Sequence, residues 1–292
     1  MRFFPDFSTS VEQLQRQVRE DAAVALAEDR GDGDRSAIVA DAGASGVAQI
    51  WCRSDDAVIC GCPWVESALF QLDPQMEFDW LVPEGARASK NTAVLRVKGN
   101  VRAILTAERT ALNFLQLLSA TATAARNMVE QLSGKDIPIV LDTRKTLPML
   151  RVAQKYATRM GGMTNHRHGL WDAAMVKENH ITASGSLLRA VERIRRHWPH
   201  VYLIVEVSNM RELEQALDAE VPHVLLDNFT PGLMLQAVQF VAGRARLEVS
   251  GGISAADLSG LGQAGIDYVS IGAVTKHVQA IDFSLLLEKP AA

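Results

Sequence analysis

Cysteine is scarce in this chain: three residues among 292, at Cys52, Cys60 and Cys62. An odd count with one Cys-x-Cys step argues against a disulfide framework and fits thiols kept reduced in a cytoplasm. Two neighbouring thiols are too few for a structural zinc site, which takes four ligands. No apolar run approaches the roughly 18 residues that a membrane-spanning helix needs. The opening MRFFPDFSTS lacks the basic start and long apolar region of a secretory signal. Positive charge is in slight deficit, with 30 Lys and Arg against 34 Asp and Glu and a net charge of −4. That balance argues against nucleic acid, which calls for a broadly basic surface. There is no internal repeat, no low-complexity segment, and no Gly-x-Gly-x-x-Gly after the first strand of the α/β region. The last absence disfavours a dinucleotide-binding sheet.

What is present is a basic island. From Leu141 to His180 the chain carries Arg144, Lys145, Arg151, Lys155, Arg159, Arg167 and Lys177 against Asp142, Asp172 and Glu178. Seven fixed positive charges against three negative, inside a mildly acidic protein, point to a small polyanion as ligand. Ile137 to Leu141 reads as a short buried strand, with Arg144 and Lys145 just past its end. Pro148 suits the start of a helix that Gly161-Gly162 ends. Ala173 to Val176 is a second strand, with Lys177, Glu178, Asn179 and His180 at its exit.

Earlier in the chain, Thr9-Ser10 can cap a helix running to about Glu28. From Ala37 to Val101 short β-prone pieces alternate with Gly, Pro and Asp, and Pro63 to Phe70 reads as a short helix. This pattern describes a smaller α/β domain with a largely antiparallel sheet. Trp51, Trp64 and Trp80 read as core or interface anchors. Thr106 to Leu132 is one long helical pattern with Arg109 and Asn113 sharing a face. Strand and helix then alternate, with strands at 201–207, 223–227, 245–250 and 267–272. Six βα units describe a parallel sheet, and in α/β barrels active sites form at the C-terminal ends of such strands.

The strand ends supply a constellation: Arg144 and Lys145, then Lys177, Glu206, Asp227, Ser250-Gly251-Gly252, and Gly272. His166 and Arg167 come from the loop before the second strand. Glu206 and Asp227 can hold Mg²⁺ directly or through its waters. Ser-Gly-Gly opening a helix from Ser254 suits a phosphate, through backbone N–H groups and the positive helix end.

Six segments carry a resemblance that covers nearly the whole chain. They are ERTALNFLQLLS (108–119), LDTRKT-P (141–148), KYA-R-GG--NHR-GL-D (155–172), KENH (177–180), LLDNF (225–229) and EVSGGI (248–253). The chain resembles the quinolinate phosphoribosyltransferase family, the carboxylating nicotinate-nucleotide pyrophosphorylases of NAD biosynthesis. The resemblance implies an α/β fold with an N-terminal α/β sandwich domain, here 1–106, and an incomplete TIM-like barrel, here 107–276. A C-terminal tail, 277–292, is expected to pack back on the sandwich. It implies that quinolinate and phosphoribosyl pyrophosphate give nicotinate mononucleotide, pyrophosphate and CO₂, with Mg²⁺ as cofactor. By resemblance, Arg109, Arg144, His166, Arg167 and Lys177 surround quinolinate. Lys145, Glu206, Asp227, Ser250, Gly251, Gly252 and Gly272 belong to the phosphoribosyl donor and its phosphates. Lys145, Lys177, Glu206 and Asp227 are the expected catalytic groups. A cytoplasmic homodimer with composite sites is also implied, in which Arg109 arrives from the partner, with neither nucleic acid nor membrane involved.

This sequence departs from the family pattern in places. Ser208 stands where an acidic residue is usual two positions after Glu206, Met149 stands where a glycine follows the proline, and Met163 ends a Gly run. Three other readings compete. One is a related group tied to molybdenum utilisation, against which KENH and the intact DTRK argue. Another is a metal-dependent hydrolase suggested by His166-x-His168, against which the surrounding cations argue. The third is a non-catalytic anion binder, against which Glu206 and Asp227 argue.

Overall fold

The computed structural model describes residues 4–132, 137–251 and 265–289. The chain forms two compact units. One comprises Ser8–Asn127, Thr146–Gly162 and Ala273–Ala292; the other comprises Met1–Phe7, Met128–Lys145 and Met163–Gly272.

The first unit is built on a four-stranded antiparallel sheet. Its strands are β1 (Ser45–Cys52), β5 (Thr92–Asn100), β3 (Glu77–Trp80) and β12 (Phe283–Leu287), in the order β12-β1-β5-β3. The C-terminal strand thus returns to this sheet, with Leu285 and Leu95 both opposite Ile50. Ala48, Ile50 and Cys52 are buried at the period of two that one sheet face requires. The short strands β2 (Ala57–Val58) and β4 (Arg87–Ala88) pair separately.

Helix α1 (Val11–Arg30) is capped as the sequence implies. Ser10 Oγ accepts from Gln13 N at 3.2 Å, and Gln13 Oε1 accepts from Ser10 N at 3.3 Å. Helix α2 (Cys62–Phe70) carries Trp64, which is fully buried and donates through Nε1 to Asp21 at 2.9 Å. Trp51 and Trp80 are half-buried. Helix α3 (Val101–Gln131) begins five residues before the Thr106 that its periodicity suggests. The reason is Asn100, whose Oδ1 accepts from Ala103 N at 3.1 Å and caps the helix directly off β5. Ala103, Ala107, Ala111, Leu115, Leu118, Ala122 and Ala125 form its buried stripe, while Arg109 is exposed. Ser119 and Thr123 on this helix have a local task. Ser119 Oγ bonds Cys60 N and O at 3.0 and 3.1 Å, and Thr123 Oγ1 accepts from Val58 N at 2.8 Å.

Helix α4 (Arg151–Met160) starts later than Pro148. Met149 has φ of +66°, a left-handed conformation that no helix start can contain. This is the position where the family carries glycine, and the backbone explains the preference.

The second unit is a parallel sheet of six strands with helices after most of them. They are β6 (Ile139–Leu141), β7 (Ala173–Val176), β8 (Tyr202–Val207), β9 (His223–Asp227), β10 (Arg246–Ser250) and β11 (Tyr268–Ser270). Helices α5 (Glu178–Ser184) and α6 (Leu187–His197) follow β7, α7 (Met210–Asp218) follows β8, and α8 (Pro231–Val241) follows β9. The spatial order is β6-β11-β10-β9-β8-β7. The last strand therefore closes back onto the first, and the sheet stays open between β6 and β7. A single bridge from Leu141 to Thr164 lies at that opening. This is the incomplete barrel that the sequence implies. The helix expected from Ser254 lies outside the described residues.

Candidate active site

Alternation along the parallel strands decides which side chains meet. Lys177, Asp227 and Ser250 follow or end their strands, Glu206 is the last but one of its own, and Met175, Leu225, Glu248 and Ser270 share the same interior face. The pairing register keeps them level: Glu206 stands opposite Leu225, Leu225 opposite Glu248, and Asp227 opposite Ser250, which is opposite Ser270. With Thr143, Arg144, Lys145, His166 and Arg167 they line one cavity of about 410 Å³. It lies wholly within the second unit.

The two basic segments meet there because of one carboxylate. Asp142 is fully buried, and its two oxygens accept from His166 N at 2.8 Å and Asn165 Nδ2 at 2.6 Å. The strand end that carries Arg144 and Lys145 is thereby clamped to the loop that carries His166 and Arg167. Arg167 itself donates through a guanidinium nitrogen to Ala173 O at 2.8 Å. Burial first, and then the neighbouring Arg144, lower its pKa, against the opposing pull of Asp172, Glu206 and Glu248. An anion entering the cavity relieves the repulsion between the two arginines.

Lys177 and Glu206 form an ion pair at the joint between β7 and β8. The backbone N–H of Lys177 donates to His180 Nδ1 at 3.1 Å, so His180 steadies the start of α5 instead of entering the site. Asn228, in the left-handed conformation that asparagine tolerates, donates from Nδ2 to Asp227 Oδ2 at 3.0 Å. Two glycines allow close approaches. A Cβ on Gly251, where φ is +101°, falls 2.2 Å from Asn228 Oδ1; a Cβ on Gly272 falls 2.9 Å from Lys145 Cδ. Each glycine therefore holds a strand end against a functional side chain.

Not every expected residue lines the cavity. Arg109 belongs to the first unit and is exposed on α3. Gly252 lies outside the described residues. Ser208 is exposed, and its N–H donates to Glu212 Oε2 at 2.8 Å, so an acidic side chain still serves this turn, from α7. His168 is buried, and its N–H donates to Asp172. Among the described residues no group of three or more His, Cys, Asp or Glu is placed to hold a metal. Glu206 and Asp227 both line the cavity, and Mg²⁺ can bind through one or two carboxylates together with substrate phosphates.

Family profiles agree with this geometry. The N-terminal domain of quinolinate phosphoribosyl transferase matches residues 34–119, and its C-terminal domain matches residues 121–286. The chain belongs to the quinolinate phosphoribosyltransferase family. A probable nicotinate-nucleotide pyrophosphorylase (carboxylating) of Synechocystis is 39% identical over 264 residues, 89% of each chain. The chloroplastic nicotinate-nucleotide pyrophosphorylase of Arabidopsis thaliana is 30% identical over 289 residues, 92% of this chain and 82% of that one. The solved nicotinate-nucleotide pyrophosphorylase of Francisella tularensis superposes with a TM-score of 0.89 at 38% identity, over 98% of this chain and all of the other. Among the described residues no helix is long and apolar enough to cross a membrane.

The family motifs mark strand ends, and reading them alone passes over Met175, Leu225, Glu248 and Ser270. Each sits two residues before a residue that the motif reading did name. The strand period of two was the available signal.

Proposed function

We propose that the cavity binds quinolinate beside phosphoribosyl pyrophosphate and joins them, releasing pyrophosphate and CO₂ and leaving nicotinate mononucleotide. The observation that carries this is that four cations, Arg144, Lys145, Arg167 and Lys177, line one cavity together with the carboxylates Glu206 and Asp227. Quinolinate bears two adjacent carboxylates, and planar guanidinium groups meet a carboxylate through two hydrogen bonds. Arg144, His166, Arg167 and Lys177 form its wall. For Lys177 to engage a substrate carboxylate, its pairing with Glu206 must loosen as the ligands enter.

The pyridine nitrogen attacks the anomeric carbon as the bond to pyrophosphate breaks. Positive charge spreads over the ribose ring, where Glu206 and Asp227 oppose it, and negative charge gathers on pyrophosphate beside Lys145. Glu206 and Asp227 would hold Mg²⁺, which neutralises the phosphate oxygens when bound. Ser250, Gly251, Gly252 and Gly272 suit the 5′-phosphate. Alkylation leaves the ring nitrogen cationic. The bond to the adjacent carboxylate then breaks, CO₂ departs, the ring keeps the electron pair, and a proton from water replaces the carboxyl group. No covalent nucleophile is needed, because positioning and charge carry the rate.

The working unit in this reading is a cytoplasmic homodimer with composite sites, in which Arg109 serves the partner's cavity. Its exposure on α3 and its absence from the lining of its own cavity support that role. Two experiments test the proposal. Incubation with quinolinate, phosphoribosyl pyrophosphate and Mg²⁺ is expected to yield pyrophosphate and CO₂ in equal amounts; pyrophosphate without CO₂ contradicts it. Mixing inactive Arg109→Ala and Lys145→Ala subunits is expected to restore up to about half the sites, following two-fold symmetry. No recovery after proven subunit exchange places Arg109 within its own chain's site or outside any site.

A further inference from the structure

At the base of the cavity, the second unit holds a layer of buried and half-buried side chains that the reaction described above does not use. Tyr202, His223 and Tyr268 stand at the first positions of β8, β9 and β11, and Glu248 lies mid-way along β10. Glu248 is 0% exposed. A carboxylate withdrawn from water requires partners. Its Oε2 lies 2.9 Å from His223 Nε2 and 3.4 Å from His166 Nε2, close contacts without hydrogen-bond alignment. Burial raises its pKa, and the two imidazoles more than offset that, so the group stays ionised.

The remaining nitrogen of each ring is also occupied. The N–H of Arg167 donates to His166 Nδ1 at 2.7 Å, and the Tyr202 hydroxyl lies 3.1 Å from His223 Nδ1. An Nδ1 that accepts a backbone N–H carries no proton. With that bond in place, a proton on His166 sits on Nε2, the nitrogen that faces Glu248.

The chain's own beginning closes this layer. Phe4 is buried and stands edge-on to His166, Tyr202, His223 and Tyr268, with ring centroids 5.6, 6.4, 6.1 and 5.0 Å away. Phe7 lies parallel to the His166 ring at 6.4 Å. Aromatic rings here exclude water, and a drier surrounding strengthens the hold of the carboxylate on both imidazoles.

We propose that Glu248 is a positioning residue of the active site: it holds His166 through Nε2 in one tautomer and one orientation, with His223 anchoring the carboxylate from the other side and Phe4 sealing it. This rests on the reading that His166 forms part of the quinolinate wall. With the Arg167 N–H on Nδ1 and Glu248 facing Nε2, the ring meets the substrate as a positioned wall. Loosening that wall affects the pyridine dicarboxylate and leaves the phosphoribosyl donor untouched.

Two measurements test this. The first is ¹⁵N NMR of the histidine side chains in the unaltered protein at neutral pH, with a His166→Gln variant to assign the signals. A His166 ring held in the Nε2–H tautomer is expected; a ring averaging between tautomers overturns the proposal. The second is steady-state kinetics. Glu248→Ala should raise KM for quinolinate about tenfold, with KM for the donor within about twofold of the unaltered enzyme. Glu248→Gln, whose amide oxygen can accept from both rings, should stay within about threefold. A folded Glu248→Ala enzyme with unchanged KM for quinolinate, or with both KM values raised alike, overturns it. If His166→Ala leaves KM for quinolinate unchanged, the site reading falls, and the NMR result still reports on Glu248 and His166 alone.

Discussion

The two units treat buried polarity in opposite ways. Within the unit built on the antiparallel sheet, the buried polar side chains among the described residues are mostly hydroxyls and an amide: Thr110, Ser119, Thr121, Gln154, Thr158 and Thr275. Lys155 is the charged one. Its thiols at Cys60 and Cys62 are held protonated, since burial and the nearby Glu84 both raise their pKa. The parallel unit buries Asp142, His166, Arg167, His168, His223 and Glu248. Buried charge is a poor source of stability and a good way to fix side chains. The difference marks one unit as a packed scaffold and the other as the carrier of the chemistry.

The largest expected effect comes from breaking the clamp in the parallel unit. Asp142→Ala leaves His166 N and Asn165 Nδ2 without their acceptor and should cost about 3 kcal/mol of stability. Chemical denaturation measures it, and activity should fall with it. Next is Arg167→Ala, which removes a charge-assisted contact worth about 1.5–3 kcal/mol and should lower kcat/KM for quinolinate about ten- to a hundredfold. Its melting temperature should change little, because burial and Arg144 already disfavour the Arg167 charge in the folded state. Unfolding in place of lost activity would reverse the comparison between the units.

Acid behaviour sharpens the comparison further. The folded-state pKa of Glu248 lies below its ordinary value. The stability it contributes is therefore present above the unfolded-state pKa, about 4.3, and is lost as pH falls towards the folded value. Glu248→Gln should flatten the acid limb of a stability–pH curve. In the scaffold unit, Ile50→Val should cost about 1 kcal/mol with kcat/KM unchanged. The smallest effect is expected at Met149, where glycine should stabilise by up to about 1 kcal/mol by removing left-handed strain.

Much of this was legible before any coordinates. Charged residues stand out at the end of apolar runs, so Lys177 and Asp227 could be read from position alone. The interior-facing Glu248 could not be singled out that way, because it sits inside the run RLEVS, and only the strand period reveals its direction. The early start of α3 was hidden because Asn100 ends β5 and caps the helix at once. Met149 masked the turn before α4, since a methionine carries no visible sign of positive φ. The opening between β6 and β7 depends on long-range pairing that local pattern does not encode.

The account centres on a cavity with more cations than one carboxylate requires. The direct test is kcat/KM for quinolinate and for nicotinate, measured side by side with phosphoribosyl pyrophosphate and Mg²⁺. The expected result is nicotinate mononucleotide from quinolinate and none from nicotinate. Equal turnover of the two would contradict the account.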